Sequence, residues 1–406
     1  MRLFSTVAVL LWLAALQSCN KESASSGEPQ LLWKSSLSDG KLISASAHAD
    51  IQYNGGVLLG GMDNGRCLYL VDIRDGKIRW KWNDYMTTDL GWLMRWPYIK
   101  DNRVFILDGH HQYCINLDNG ETLWKRRNVS DFGTLATGIN NNYLIPAAYY
   151  PNGDGTNESK ILIGNLADGT SEDIFLIPEY TRAYTDPNQQ KGNIVSSDTV
   201  KIGSEKGLLI FFWDPLENYK LNIFIGLYNI TQKKWVYSKK PFALNASYTI
   251  GPPAIYNNKV VNSVGKTQQC HDLLTGDILW TRQLSDINTA YDTFVDGKIL
   301  STTQDRITHC IDPANGRELW ALTTSGNPGI VRELNGIAYM VGGNAKLFAI
   351  DVAAGKILWQ FSSPDEKINR NAFWQEGVRV VAGSSEQKGK IIVSSYLNAF
   401  CYEAAR

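Results

Sequence analysis

The sequence carries no surplus of either charge: 40 Lys and Arg stand against 40 Asp and Glu. No global field therefore draws the chain to nucleic acid or holds it against an anionic membrane surface. Cysteine is sparse, with six in 406 residues, no two of them adjacent, and no C-x-x-C-H haem-attachment pattern occurs. The apolar stretch from Val7 to Leu16 is too short for a stable membrane span. What the chain does hold is 35 Gly, 13 Pro and 13 Trp in a composition that is 44% hydrophobic. That is enough to bury a large core, and so many turn residues point to β-structure rather than long helices.

Residues 1–18 read as an export signal, with Arg2 ahead of the apolar stretch. Leu16-Gln17-Ser18-Cys19 resembles a bacterial lipobox, although Gln17 is unusual at its position, and makes Cys19 the expected lipidation site. Residues 19–30, polar and Ser-rich in NKESASSGE, suit a flexible tether. Residues 31–406 form the remaining single domain.

That domain repeats itself. An acidic or amide residue, a Gly four later and a Trp eight later recur as Asp72/Gly76/Trp80, Asn116/Gly120/Trp124, Asp272/Gly276/Trp280, Asp312/Gly316/Trp320 and Asp351/Gly355/Trp359. A degenerate copy keeps Asn165 and Gly169 but has Asp173 in place of Trp. Another reaches Trp235 through a shorter turn. Joining the ends supplies an eighth copy, with NAFCYEAAR before the turn and Trp33 in LLWKSS after it. Upstream of the motifs lie second hairpin signals, Asp101-Asn102, Asn141-Asn142, Asn257-Asn258, Asp296-Gly297 and Asn335-Gly336, pairs suited to two-residue turns with positive φ. Each unit of roughly 40 residues thus holds four short strands, A to D, which is the signature of a propeller blade. The expected fold is all-β: an eight-bladed β-propeller of four-stranded antiparallel blades, the last closed by N- and C-terminal strands so that no sheet edge is left open in the ring.

The motif residues have architectural work. The Asp or Asn accepts hydrogen bonds from backbone N–H groups of the turn that follows. The Gly takes positive φ without steric cost. The Trp, on outermost strand D, covers the blade flank and fills the wedge toward a neighbour. Burying ~150–250 Å² of ring at roughly 25 cal/mol/Å² gives an upper bound of about 4–6 kcal/mol each.

The pattern in AIDVAAGKILW resembles the repeat named after pyrroloquinoline quinone, found in the eight-bladed quinoprotein dehydrogenases and in the lipoprotein accessory subunit of the outer-membrane β-barrel assembly machinery. The resemblance covers the whole of the chain after its signal and is specific for fold. For a quinoprotein it implies an adjacent-cysteine disulfide, a calcium held by Glu, Asn and Asp, and a catalytic Asp, none of which carries over to positions here. The accessory lipoprotein matches in length, anchor and simple blades. The resemblance therefore implies a non-enzymatic scaffold lipoprotein of the bacterial cell envelope, most plainly of the outer membrane. No cofactor, no metal, no catalytic residue and no nucleic-acid partner are assigned, and the membrane is met through the lipid anchor alone. The alternative is a pyrroloquinoline quinone-dependent dehydrogenase of alcohols or sugars.

Cys114, Cys270, Cys310 and Cys401 stand two residues before the Asp-type position of different blades, which makes them buried free thiols. His271 and His309 are strand residues beside motif positions. His110-His111 could share a metal only if the turn bent them together, and YYPNGDGTNES lacks the dense carboxylates of a calcium loop. Function is expected where regularity fails. Blades five to seven have short connections, whereas the first four carry longer B–C and D–A loops, which share one end of a propeller. These contribute Trp92, Trp96, His110, His111, Tyr149, Tyr150, Tyr180, Arg182, Tyr184, Trp213 and Tyr219. Trp, Tyr and Arg are typical interface anchors, so this loop face is the candidate surface for a protein, peptide or glycan partner.

Overall fold

The computed structural model describes residues 27–37, 52–60, 67–86, 98–107, 111–127, 137–139, 142–151, 157–176, 193–216, 220–247, 253–288, 291–326, 330–375, 377–385 and 387–406. The described residues form eight four-stranded antiparallel sheets. Seven are consecutive in sequence, and the eighth joins Arg379–Val381, Lys390–Ser394 and Asn398–Glu403 to Leu31–Ser36. The closing pair is in register from Leu31 opposite Tyr402 to Ser36 opposite Asn398. Among the described residues one 3-10 turn, Pro364–Lys367, is present, and no helix is long and apolar enough to cross a membrane.

The A–B hairpins turn where the Asn/Asp/Gly pairs sit. Asp101, Asn257, Asn258, Asp296 and Asn335 all have positive φ, as do Gly297 and Gly336; Asn141 lies outside the described residues. Where their side chains are described, the middle strands of the blades are mostly buried, as in GVLLG of blade one and IAYMV of blade seven. Clusters such as Val57, Leu59, Tyr69 and Val71 with Ile392, Ala399 and Cys401 form between one blade and the next. The core is therefore a ring of inter-blade wedges rather than a single central mass.

Blades three and four depart from the rest. Their strands Asn142–Pro151, Asn157–Asn165, Asn193–Ile202, Glu205–Pro215, Leu221–Asn229 and Lys234–Ala246 run 9 to 13 residues. The B and C strands of blade seven, by contrast, have five and six. The extra length lies beyond the disc, at the end that carries the B–C and D–A connections.

Cys67, Cys114, Cys270, Cys310 and Cys401 are all buried and free. Burial pushes the Cys114, Cys310 and Cys401 thiols up to about 12 and Cys270 to about 11. Only the thiolate is nucleophilic. Cys114, Cys270, Cys310 and Cys401 are therefore expected to resist iodoacetamide at pH 8 in the native protein and to be alkylated after unfolding, as mass spectrometry would show; native-state labelling of any of these four would contradict the assignment.

Candidate functional site

The repeat motif is a joint between blades. In each turn the Asp or Asn carboxyl or amide oxygen accepts from the backbone two or three residues on: Arg74 to Asp72 and Asp118 to Asn116 at 2.8 Å, Ala167 to Asn165 and Leu274 to Asp272 at 2.9 Å, Ala314 to Asp312 at 2.8 Å, and Ala354 to Asp351 at 2.9 Å. The motif glycines Gly76, Gly120, Gly169, Gly276, Gly316 and Gly355 have φ between 61° and 76°.

The tryptophan serves the next blade. Trp33, Trp80, Trp124, Trp280 and Trp320 donate Nε1–H to the carbonyls of Ile73, Leu117, Leu166, Pro313 and Val352, at 2.7 to 3.0 Å. Each accepting residue directly follows the motif Asp or Asn of the neighbouring blade. The same rings lie over Gly76, Gly120, Gly169, Gly316 and Gly355, so closely that a Cβ there would come within 2.6 to 2.8 Å of ring carbons. Glycine is thus demanded twice, by φ and by the neighbour's indole. The bulge one residue before the Trp, where Cys270 faces Trp280 but His271 faces Ile278, aims the ring across the gap.

Blade four corrects one expectation. Trp235 is opposite Tyr228 and packs inside its own blade against Tyr228 and Phe212. The joint is made two residues later by Tyr237, whose hydroxyl donates to Leu273 O at 2.9 Å and whose ring would meet a Cβ on Gly276 at 2.9 Å.

Blades seven and eight meet differently as well, because no turn joins strands C and D of blade eight. Trp359 of blade seven keeps the register of the other motif tryptophans, opposite Ala349, and is 8% exposed. Among the described residues, however, it covers no motif glycine, since its neighbour has none to offer. Its ring packs instead against Tyr339 and Phe361 of its own blade, with centroids 6.0 and 5.5 Å away. It still fills the wedge, in one cluster with Phe400, Tyr402 and Ala404 of blade eight. Residues 404–406 take the place of the missing turn: Ala405 N donates to Tyr339 OH, Asn335 Nδ2 donates to Arg406 O, and the Arg406 guanidinium pairs with Asp351.

Asp72 carries the most charged of these turns. Hydrogen bonds from Arg74 hold its carboxyl well below the usual carboxylate range, against the opposing effect of burial, and Arg79 adds to them. A depressed folded-state value means that its stabilisation is complete above the unfolded value, near pH ~4, and is lost as pH falls below it. Asp72→Asn is expected to flatten the acid limb of a stability–pH profile below pH ~4 while leaving the neutral region parallel. An unchanged acid limb would contradict this.

On the B–C and D–A end the described residues give a partial picture of the expected face. Cys19, Trp92, Trp96, His110, Tyr180, Arg182, Tyr184 and Tyr219 lie outside the described residues. Tyr149 and Tyr150 fall near the far end of Asn142–Pro151, and Trp213 near that of Glu205–Pro215, both in the projecting parts of the tall blades. His111 opens His111–Asn116, half-buried with its ring 6.3 Å from Tyr113. Of the calcium-like stretch, Asn157 and Glu158 are strand residues opposite Pro151 and Tyr150.

Other apolar side chains at this end went unread. Met86, Leu216, Leu244, Ile368 and Phe373 are exposed, Ile368 at 70% and Leu244 at 61%. Ile368 and Phe373 belong to the connection between blades seven and eight, which spans 363–378 and is not short as expected. Ser363 and Glu366 cap its 3-10 turn reciprocally with Pro364 in the first turn, a Ser-x-x-Glu signal that was present in the sequence. Buried Asp365 anchors this connection. It accepts from Lys34 Nζ at 2.8 Å, Asn398 Nδ2 at 2.6 Å and Ser395 Oγ. Burial raises its pKa, but these donors outweigh that and leave it lowered. Between blades five and six, fully buried Asp292 takes hydrogen bonds from Ser263, Gln268, Asn288 and Ser301. There burial dominates and pushes the carboxyl up.

The fold and its joints define a β-propeller of the pyrroloquinoline-quinone-type repeat, and comparison with known proteins agrees. Residues 247–402 match the family model described as outer membrane protein assembly factor BamB. It is 24% identical over 286 residues to tetrathionate hydrolase of Acidithiobacillus ferrooxidans, across 65% of this chain and 50% of that protein, so it spans half the length of this curated relative. Among solved structures, the computationally designed Ika8 protein superposes with a TM-score of 0.62 at 13% identity, over 92% of this chain and 100% of that one. BamB from Moraxella catarrhalis gives 0.50 at 13% identity, over 74% and 82%. A europium-containing methanol dehydrogenase gives 0.64 at 10% identity, over 90% and 84%. At these identities the structural likenesses speak for the fold alone.

Proposed function

We propose that this chain is a binding scaffold lipoprotein of the bacterial cell envelope, anchored through Cys19 and holding a protein or peptide partner on the B–C and D–A face of its propeller. The observation that carries the reading is the asymmetry of that face. Blades three and four stand above the disc, and exposed Leu216 and Leu244 on blade four share this end with Ile368 and Phe373. Exposed apolar side chains on a rigid, uneven surface suit a partner's apolar anchors. The match of residues 247–402 to the assembly-factor model supports a role in outer-membrane protein assembly.

The cysteines lend the quinoprotein alternative no support. Cys114, Cys270, Cys310 and Cys401 lie in the third strands of four different blades, each buried and free, so an adjacent-cysteine disulfide has no counterpart. Cross-linking from envelope membranes followed by identification of captured proteins tests the proposal. Recovery of barrel-assembly subunits, lost on joint substitution of Trp92, Tyr184 and Trp213 by Ala, is the expected result. Retention of the partner by that variant sinks the proposed face, and capture of a glycan alone sinks the protein partner. Quinone absorbance and dye reduction with an alcohol, after addition of pyrroloquinoline quinone and calcium, would instead establish the dehydrogenase.

A further inference from the structure

We propose that Ser285, His309 and Glu318 form an acyl-transferring hydrolytic site at the seam between blades five and six, acting on small uncharged carboxylic esters. Ser285 follows strand D of blade five, Ile278–Gln283, and is exposed. His309 lies in strand C of blade six, Ile307–Ile311, with its side chain 5% exposed, and Glu318 opens strand D of that blade. Ser285 Oγ is 3.0 Å from His309 Nε2, and His309 Nδ1 is 2.7 Å from Glu318 Oε2. That is nucleophile, base and orienting carboxylate in one line, each within hydrogen-bond reach of the next.

The surroundings favour the tautomer the chemistry needs. Arg282 donates to the same Glu318 oxygen, Oε2, at 3.1 Å. Burial raises the Glu318 pKa, but the hydrogen bonds from His309 and Arg282 outweigh it and keep the carboxyl lowered, so it accepts from Nδ1–H. Nε2 is then the free lone pair facing Ser285. Thr303 Oγ1 also comes within 3.3 Å of Nε2, but its proton goes to Asp305 Oδ1 at 2.5 Å, which leaves Ser285 as the donor to the imidazole. Asp305 is the competing acceptor for the Ser285 proton.

The step balances with water as the only co-reactant. Ser285 Oγ bonds to the ester carbonyl carbon while His309 Nε2 takes its proton. The carbon–oxygen bond to the leaving alcohol breaks, and that proton passes to the departing oxygen. Water, deprotonated by the same nitrogen, then cleaves the acyl-serine ester, releasing a carboxylic acid and restoring Ser285. Glu318 is a positioning residue that holds the ring and stabilises its transient positive charge. The Asp305 carboxylate stands beside the nucleophile, while the charge of Asp286 is offset by Lys266 at 3.0 Å. Anionic esters are therefore repelled, and uncharged ones are the class admitted. The site does not use tall blades three and four and stands independently of the partner-binding reading.

The test treats the purified full chain with a neutral biotinylated fluorophosphonate, maps the adduct by mass spectrometry and follows p-nitrophenyl acetate hydrolysis. One adduct on Ser285 is expected, absent in Ser285→Ala, and formed about a hundredfold more slowly or less in His309→Gln, the scale of general-base catalysis. Glu318→Gln should lower kcat and leave KM unchanged. Because Ser285 is exposed, Ser285→Ala keeps its fold even if His309→Gln loses it, and melting curves record both. No adduct on Ser285 in the unaltered protein, under conditions that label a serine esterase, overturns the proposal whatever the variants do. So does equal labelling in a folded His309→Gln variant, since the three residues would then be only an inter-blade clip.

Discussion

Gly316→Ala is expected to cost about 2–5 kcal/mol of unfolding free energy, whereas Gly297→Ala should cost only about 1–2 kcal/mol. Both glycines have nearly the same positive φ, 74° and 70°. Each alanine therefore meets a similar left-handed penalty. They differ in what a methyl group would touch. At Gly297 nothing lies within 4 Å, but at Gly316 the new carbon would stand 2.8 Å from Trp280 Cε3. The indole cannot retreat without stretching its 3.0 Å hydrogen bond to Pro313 O. Denaturant unfolding of the two variants side by side isolates the overpacking from the strain; equal losses would show that the ring yields freely.

Trp33→Ala should cost about 3–5 kcal/mol, the usual range for emptying a buried large aromatic site. Trp33 is buried, donates to Ile73 O at 2.9 Å and lies over Gly76 of blade one. Phenylalanine keeps part of the ring but not the donor. Its cost should be smaller, about 1–2 kcal/mol, because Lys390 Nζ still reaches the Ile73 carbonyl at 3.2 Å. The location of the damage is as informative as its size. Hydrogen exchange in Trp33→Ala should accelerate first in 31–36 and 398–403, the pair that closes the ring. Uniform acceleration through all eight blades would mean that the joint carries no special share.

Much of this architecture was legible because each motif residue answers a local demand. A carboxylate or amide at the turn and a glycine at positive φ follow from backbone geometry alone, and their recurrence reveals the blades. Tyr237 was hidden for the opposite reason. The joint position in blade four is fixed by strand register, and the bulged pairing of Lys234–Ala246 moves it two residues beyond Trp235, the residue that spacing favoured. Trp359 shows the same limit from the other side: its spacing is regular, but what it covers depends on a neighbour whose turn is missing. Ser285, His309 and Glu318 carry no motif, since their meeting depends on how two blades lie against each other. His309 accordingly read as an ordinary strand residue. On the loop face, Ile368 and Phe373 were missed because hydrophobic periodicity says little about short connections, although the Ser363/Glu366 cap beside them was readable.

The pairing of Leu31–Ser36 with Asn398–Glu403 also sets an order of events. A chain made from its N-terminus produces one strand of that blade before any of the other seven blades and must wait for its other three strands until last. Contacts between residues so far apart in sequence are slow to form. Until they do, the strand bearing Trp33 has an unpaired edge, and blade one lacks the indole that covers its turn. The time between synthesis and ring closure is therefore when this protein is most exposed to mispairing, and when a chaperone would have most to protect.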